Sequence, residues 1–369
     1  MRILVINPIL YTAETKQIKR ASSIQDTMMY DLCLAFHRQG HRVTLFAGEP
    51  YRPTEEETYP FPVLWGKCVL PSVLAPHRFP VMPELCRYIR ENGEEIDLIL
   101  SSEVFSANSL MAFWLAPKKL VIWHELAKHN ALMHRIPSKI WYNIVARFAM
   151  KKAKIVARSQ EAQDFIRRYC SNVDSRIVDH GVNLDKFCAR REKENYFVVC
   201  SQLIDRKRID GILRRFADYT ENYDPGSKLY IIGNGPREED LKALARDLGL
   251  TDRVIFTGRL DHGRMMPILA GAQALLVNTE KDNNMVSIVE SIGVGTPNVT
   301  TDIPLNASYI RANALGIVRK AWEAEDLREI VANNSVYVQN CLQYREQLST
   351  RKRVEQLLQI YEAPENKGK

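Results

Sequence analysis

Short apolar runs alternate with longer segments that have one apolar face, and this rhythm predicts the fold. The runs Ile3–Asn7, Leu98–Leu100 and Leu120–Trp123 are typical of strands that are buried on both faces. Segments with helical periodicity, such as Thr27–Arg38 and Ser106–Leu115, lie between them. Strands that alternate with helices in this way predict parallel sheets covered by helices on both faces, an α/β fold.

The same alternation starts again near Tyr196, after an irregular stretch. A chain of 369 residues is longer than one ordinary domain. We therefore predict a first α/β domain over residues 1–185 and a second over residues 190–335. Residues 336–369 are predicted to form a long C-terminal helix and a polar tail that pack back toward the first domain.

The segment Leu275–Thr301 has the pattern of a ligand site. An apolar strand leads into a polar turn with Asp282, and then into a helix that carries Glu290. Free backbone N–H groups and the helix dipole meet at such a helix N-terminus, which therefore binds phosphates well. An acidic residue eight positions further on suits a pair of sugar hydroxyls better than a phosphate. The segment therefore predicts a nucleotide-sugar site.

Two turns elsewhere in the second half could complete this site. Lys207 lies between Arg206 and Arg208 in the turn after the strand that begins at Tyr196, where a diphosphate would need cations. An exposed charged loop is the alternative interpretation. The turn Gly233–Pro236 follows another strand, and its glycines let the backbone approach a ligand closely.

His124 is the candidate functional residue of the first half. It directly follows the strand Leu120–Trp123, and ligands of open parallel sheets collect at the carboxyl ends of strands. The alternative is an ordinary surface histidine.

Charge and composition narrow the class of protein. The net charge of +7 comes from residues 1–190, which hold 26 Lys and Arg against 19 Asp and Glu. This excess favours an anionic partner, such as nucleic acid, a membrane surface or an acidic acceptor, or else a solvated face. No window approaches 18 consecutive apolar residues, and the seven cysteines show no zinc spacing. A cytoplasmic protein without a membrane span fits these features.

The segment Ile136–Lys154 has the character of a basic amphipathic helix. Such a helix with aromatic residues can lie on an anionic membrane, whereas a helix packed in the core with a solvated charged face is the alternative. The apolar positions at helical spacing are Ile140, Ile144, Val145 and Phe148. The basic residues near the end of the segment are Arg147, Lys151, Lys152 and Lys154.

Four segments of the second half resemble, in order, the motifs of retaining glycosyltransferases of family 4, which have the GT-B fold. The resemblance covers about residues 175–305, and over residues 1–175 it rests on the strand–helix pattern and His124 alone. It implies two Rossmann-like domains that face each other across a cleft, with the nucleotide-sugar held mainly by the second. The four segments are HGVNLDKF, SQLIDRKRID, IIGNGPREEDLKALARDLGLTDRVIFTGRL and NTEKDNNMVSIVESIGVGTPNVTT.

The resemblance also implies roles for individual residues. Glu290 resembles the acid that binds the ribose hydroxyls, and Asp282 stands where the family's first Glu contacts the donor sugar. Lys207 resembles the diphosphate lysine, and His124 the histidine near the transferred sugar. Backbone N–H groups of four residues would face the phosphate, namely Asn283, Asn284, Met285 and Val286. The loop with Gly258 and Arg259 would border the nucleobase.

The chain departs from the family pattern at three places. Asp282 is one methylene shorter than Glu, and Gln202 replaces the arginine that assists the diphosphate lysine. Arg206 or Arg208 could compensate for that arginine. The glycine turn after the first strand is replaced by Asn7-Pro8 and a long basic loop.

The resemblance implies a retaining glycosyltransferase that moves a sugar from a UDP- or GDP-sugar to a glycan or lipid-linked glycan in cell-surface polysaccharide biosynthesis. We expect no metal and no further cofactor, since no DxD-like motif precedes a sugar site. Residues 136–154 would contact the inner face of the cytoplasmic membrane. An epimerase or hydrolase on the same fold, and a non-catalytic nucleotide-sugar-binding protein, are the alternatives. A nucleic-acid partner is not expected.

Overall fold

The computed structural model describes residues 1–11, 18, 20–69, 77–130, 132–282 and 284–363. These residues fall into two units. The first unit is Met1–Gly181 together with the C-terminal stretch from Thr350 onward, and the second is Val182–Ser349. The prediction of two parallel-sheet Rossmann-like units is confirmed.

The first unit is built on a parallel sheet with the order β3-β2-β1-β4-β5-β6-β7. The order reverses between β1 and β4, as in doubly wound folds. Its strands are β1 (Arg2–Asn7), β2 (Arg42–Gly48), β3 (Val63–Gly66), β4 (Leu98–Ser102), β5 (Leu120–His124), β6 (Lys154–Ala157) and β7 (Val173–Ile177).

Both faces of this sheet are buried. Ile3 and Val5 lie in one apolar core, whereas Leu4 and Ile6, which alternate with them along β1, lie in another. The helices that cover the sheet are Met28–Arg38, Glu84–Asn92, Ala107–Leu115, Ile136–Ile140, which continues as a π-helix over Trp141–Ala149, Gln160–Ile166 and Thr350–Glu362. Short 3₁₀ turns lie at Glu49–Tyr51 and Leu132–Arg135.

The second unit is built on a parallel sheet with the order β10-β9-β8-β11-β12-β13. Its strands are β8 (Tyr196–Cys200), β9 (Lys228–Ile232), β10 (Val254–Gly258), β11 (Leu275–Val277), β12 (Asn298–Thr301) and β13 (Gly316–Arg319). Its helices are Ile209–Asn222, Glu238–Asp247, His262–Gly271, Val286–Gly293, Ala307–Ala312, Ala324–Ala332 and Asn334–Tyr344. Short 3₁₀ turns lie at Leu184–Lys186, Asp205–Lys207 and Arg345–Leu348.

The C-terminal region differs from the prediction of one helix from residue 336 onward. The helix that starts at Asn334 ends at Tyr344 and belongs to the second unit. The chain then turns, because the backbone N–H of Val182 donates to the carbonyl of Leu348 at 3.0 Å and Ser349 pairs with Val182 as a β-bridge. A separate helix begins at Thr350 and buries apolar side chains in the same core as β1.

Candidate functional site

Two loops meet at the carboxyl ends of β8 and β11, where the strand order of the second unit reverses. Lys207 Nζ lies 2.7 Å from Asp282 Oδ2, and Arg206 Nη1 lies 2.9 Å from Oδ1. The hydroxyl of Thr279 donates to Oδ2 at 2.7 Å. The structure therefore joins three of the predicted residues in one cluster of two cations and one carboxylate. Ligands of open α/β sheets bind at this kind of position.

The cluster is largely shielded from solvent around Lys207 and Asp282. Their side chains are 10% and 14% exposed, whereas that of Arg206 is 44% exposed. Burial alone would raise the pKa of the Asp282 carboxyl, but hydrogen bonds from Lys207 and Thr279, together with the positive charge, hold it below its ordinary value. Asp282 is therefore ionised at neutral pH.

Glu290 lies on the helix Val286–Gly293 and is only 6% exposed. His262 Nε2 lies 2.8 Å from Glu290 Oε1. The pKa of Cys200, at the end of β8, is raised by burial and then by the negative charge of Glu290. The negative charge of Glu290 is therefore felt at the carboxyl end of β8, which is also one of the two strand ends where the cation cluster lies.

Sequence reasoning missed His262. This residue opens the helix His262–Gly271, whose N-cap Asp261 accepts a hydrogen bond from the backbone N–H of Arg264. The available signal was its position, since the helix directly follows the Gly258–Arg259 loop predicted to border a nucleobase.

The glycine turns bring the ends of β8, β9 and β10 close together. Gly233 has φ +140°, and a Cβ atom there would lie 1.9 Å from the carbonyl oxygen of Ser201. The backbone N–H of Gly233 donates to the carbonyl of Gly258 at 2.9 Å. Gln202 and Arg259 are exposed beside these turns. Four predicted donor-binding positions thus lie at one edge of the sheet.

The N-terminus of the helix Val286–Gly293 is partly occupied by protein. The backbone N–H of Met285 donates at 2.6 Å to Oδ1 of Asn306, which is fully buried. This amide is therefore engaged within the protein, which corrects the prediction that it faces a phosphate. Val286 opens the helix with an exposed side chain, and Asn284 is half-buried. Asn283 lies outside the described residues.

His124 ends β5 in the first unit and is fully buried, so the alternative of a surface histidine is wrong. Its Nδ1 lies 2.9 Å from Oε2 of Glu103, and its ring stacks on Phe165 at an interplanar angle of 13°. Sequence reasoning missed Glu103, although this residue directly follows the neighbouring strand β4.

Glu103 remains ionised despite its position. Burial would raise its pKa, but the neighbouring His124 lowers it, with further lowering by Arg158 and the backbone N–H of Glu125, so that it lies below its ordinary value. The Glu125 amide donates to Glu103 Oε1 at 2.6 Å. The first unit thus holds a charged group of its own at the carboxyl ends of β4 and β5.

Metal ligation has no clear counterpart in these clusters. Among the residues that the structure describes, no three His, Cys, Asp or Glu side chains are grouped so that they could hold a metal ion. The expectation of a metal-independent site stays a prediction.

Two family models match the chain and together span residues 25–335. The model described as Glycosyltransferase Family 4 matches residues 25–186, and the one described as Glycosyl transferases group 1 matches residues 183–335.

Characterised relatives match over about half of their length. The chain is 24% identical over 247 residues to the alpha-monoglucosyldiacylglycerol synthase of Streptococcus pneumoniae, covering 60% of this chain and 55% of that protein. It is 22% identical over 212 residues to the O-antigen chain mannosyltransferase RfbU of Salmonella typhimurium, covering 54% and 59% respectively.

Solved structures share the fold over almost the whole chain. Sucrose-phosphate synthase from Thermosynechococcus elongatus has a TM-score of 0.63 at 15% identity, covering 98% of both chains. HepE of Anabaena, in complex with UDP and glucose, has a TM-score of 0.62 at 16% identity, covering 97% of this chain and 98% of the other. At these identities the likeness concerns the fold alone.

Proposed function

The chain belongs to the family 4 glycosyltransferases, and we propose that it transfers a sugar from a nucleoside diphosphate donor to a glycan or lipid-linked glycan acceptor. The observation that carries this proposal is the cluster of Lys207, Arg206 and Asp282 at the point where the strand order reverses. Glu290, on the helix that follows the same loop, adds a buried carboxylate.

The donor would be held by charge at one end and by hydrogen bonds at the other. Lys207 and Arg206 bind the diphosphate, and Glu290 binds the ribose hydroxyls. Gly258 and Arg259 border the base. Gln202 donates a hydrogen bond near the diphosphate, and the backbone N–H groups of Asn284 and Val286 are proposed to face the phosphate.

The reaction needs little covalent chemistry from the protein. The bond between the sugar's anomeric carbon and the phosphate oxygen breaks, and the acceptor oxygen bonds to that carbon on the same face. The departing phosphate takes the acceptor's proton. Lys207 and Arg206 stabilise the negative charge that grows on the diphosphate, so no metal is required. His124 is proposed to lie near the transferred sugar.

The names of the relatives guide our proposal for the acceptor and the donor base. The monoglucosyldiacylglycerol synthase is named for a lipid product and the mannosyltransferase for the O-antigen chain. HepE was solved with UDP. We therefore propose a UDP- or GDP-sugar donor and an acceptor of cell-surface polysaccharide biosynthesis.

A peripheral contact with the membrane is part of the same proposal. Ile136, Ile140, Ile144 and Phe148 recur every four residues and are 53% to 76% exposed. Tyr142, on the other side of the helix, is fully buried. No helix in the described part of the chain has the length and apolar character needed to cross a bilayer. We call the four exposed positions Ile136, Ile140, Ile144 and Phe148 the apolar stripe.

Basic residues border the apolar stripe. Lys139, Lys151 and Lys152 are exposed, and an amphipathic helix with this charge suits anionic lipid headgroups. Lys154, which was predicted to belong to this group, instead donates to the backbone carbonyls of Tyr361 and Ala363 at 3.1 and 2.8 Å. It caps the C-terminal helix.

The test is transfer activity with a panel of UDP- and GDP-sugars and glycan or lipid-linked acceptors. We expect Lys207→Ala and Glu290→Ala to lower kcat/KM by at least about a hundredfold, as for the loss of one charge-stabilising group. Lys281→Ala, an exposed lysine of the same loop, serves as the control with near-normal activity. Full activity in either site variant would refute the proposal, and product formed from donor alone would favour a hydrolase or epimerase.

A further inference from the structure

We propose that Asp282 is a resident counter-ion of the diphosphate site, so that a diphosphate competes with it for Lys207 and Arg206. This inference rests on the proposed function and assigns Asp282 a role other than contact with the donor sugar. It makes Asp282 a positioning residue, which acts on the ligand through the two cations.

The contacts of the carboxylate carry the inference. Oδ2 accepts from Lys207 Nζ and from the Thr279 hydroxyl, both at 2.7 Å, and Oδ1 accepts from Arg206 Nη1 at 2.9 Å. A carboxylate offers about four acceptor positions, and three of them are used within the protein. A neutral sugar hydroxyl would have to compete with charge-assisted hydrogen bonds, which are about twice as strong as neutral ones.

The backbone holds the two loops together independently of this carboxylate. The backbone N–H of Glu280 donates to the carbonyl of Arg206 at 2.8 Å. Arg206 Nη1 also donates to the carbonyl of Lys281 at 2.7 Å. The turn that carries the cations therefore has support besides the carboxylate. Asp282 chiefly sets the orientation of the two cationic groups and the net positive charge that the cluster presents to a ligand.

The charges explain how a diphosphate, unlike a hydroxyl, can compete with Asp282 for the two cations. Two cations against one carboxylate leave the cluster with one net positive charge. In the low-dielectric surroundings of Lys207, which is 10% exposed, an unpaired ammonium is costly, so Asp282 stabilises it until another anion does so. A diphosphate brings at least two negative charges and can replace one carboxylate.

The same arrangement favours release of the product. A nucleoside diphosphate carries about one more negative charge than the nucleotide-sugar from which it forms. Asp282 repels the more charged species more strongly, so it weakens the hold of the cations on the product more than on the donor. Loss of the carboxylate should therefore strengthen product inhibition.

The test uses pyrophosphate as a probe that has neither sugar nor base. We expect Asp282→Asn to bind pyrophosphate at least about tenfold more tightly than the wild type, and the slope of log Kd against log salt to grow by about one ion. Asp282→Ser, a second neutral variant, should act in the same direction, and Asp282→Glu should stay near the wild type. Lys207→Ala should abolish the site in each background.

A matched control lies in the same loop. The Glu280 carboxylate pairs with Arg208, so Glu280→Gln removes the same charge two positions away. Its pyrophosphate affinity should change less than twofold. Unchanged or weaker pyrophosphate binding in both neutral variants that remain folded by circular dichroism would overturn the inference.

A comparison of UDP or GDP with the matching nucleotide-sugar separates a counter-ion from a sugar ligand. If Asp282 is a counter-ion, Asp282→Asn tightens both ligands, and the nucleoside diphosphate gains more. A loss of affinity for the nucleotide-sugar alone would overturn the inference, because it indicates direct contact with the sugar. Since pyrophosphate binding needs no transfer reaction, the absence of turnover on every donor would refute the proposed function and leave the counter-ion result standing.

Discussion

Glu290 shows what one residue's position in the sequence can and cannot reveal. Its place eight residues after Asp282 singled it out, because both lie in one continuous segment. Its partner His262 lies 28 residues earlier on another helix, and Thr279 and Glu103 likewise act through contacts that only the folded chain creates. Sequence reasoning therefore found the residues of local motifs and missed their partners.

The His262–Glu290 hydrogen bond gives the first prediction. His262→Phe removes the donor to Glu290 Oε1, and one such bond to a charged group is worth about 1.5–3 kcal/mol. Because this bond orients the carboxylate that we propose binds the ribose, we expect the donor KM to rise about tenfold with kcat nearly unchanged. Arg264→Ala, an exposed change on the same helix, is the control. A normal donor KM for His262→Phe would show that the histidine does not position Glu290.

Gly233 gives a prediction about stability. A Cβ atom there would lie 1.9 Å from the Ser201 carbonyl oxygen, whereas at Gly249, which also has positive φ, nothing lies within 4 Å. We expect Gly233→Ala to lower the free energy of unfolding by about 3 kcal/mol or more, and Gly249→Ala by about 1 kcal/mol. Urea unfolding monitored by circular dichroism measures both. Equal effects would mean that backbone strain alone, without the steric clash, limits the turn.

At the scale of elements, local signals predicted helix starts well. Thr27, Ser106 and Ser159 each cap a helix by accepting a hydrogen bond from the backbone N–H three residues on. The C-terminal region was predicted as one long helix and a tail over residues 336–369, whereas the structure divides it into two helices that end at Tyr344 and begin at Thr350. The break comes from pairing with Val182, more than 160 residues earlier, which no local pattern contains.

The apolar stripe gives the prediction at this scale. We expect the protein to float with vesicles that contain phosphatidylglycerol and not with phosphatidylcholine alone. Ile144→Ser with Phe148→Ser should weaken binding more than tenfold, since each removes a buried apolar side chain from the interface. Lys151→Gln with Lys152→Gln should weaken it about fivefold for each lysine.

Two controls in the second unit match these changes. Val336→Ser alters a side chain as exposed as Ile144, and Lys228→Gln neutralises an exposed lysine. Both should float like the wild type. If the stripe variants also float normally, the exposed apolar residues serve another contact, and the membrane part of the proposal is wrong.

At the scale of the whole molecule, the repeated rhythm of strands and helices was sufficient to predict two parallel-sheet units. The strand order was not contained in that rhythm, because any order of parallel strands gives the same alternation. Yet the order decides where ligands bind, since β8 and β11 are neighbours only because the sheet reverses between them. The sequence thus predicted which residues are candidates for a functional site. The topology then brings Lys207 and Asp282 together although 75 residues separate them.

The donor itself can be identified by its effect on the whole chain. A ligand at one hundred times its Kd stabilises the native state by about 2.7 kcal/mol, which raises the melting temperature of a unit of this size by about 5–11 °C. We expect one of the UDP-, GDP- or ADP-sugars to reach this shift and Lys207→Ala to remove it. Hydrogen exchange with that ligand should slow in peptides that cover residues 201–210 and 278–294, where the cation cluster and Glu290 lie. A shift without protection of these peptides would place the nucleotide elsewhere and refute the site, whereas protection without turnover would indicate a protein that binds the donor but does not transfer its sugar.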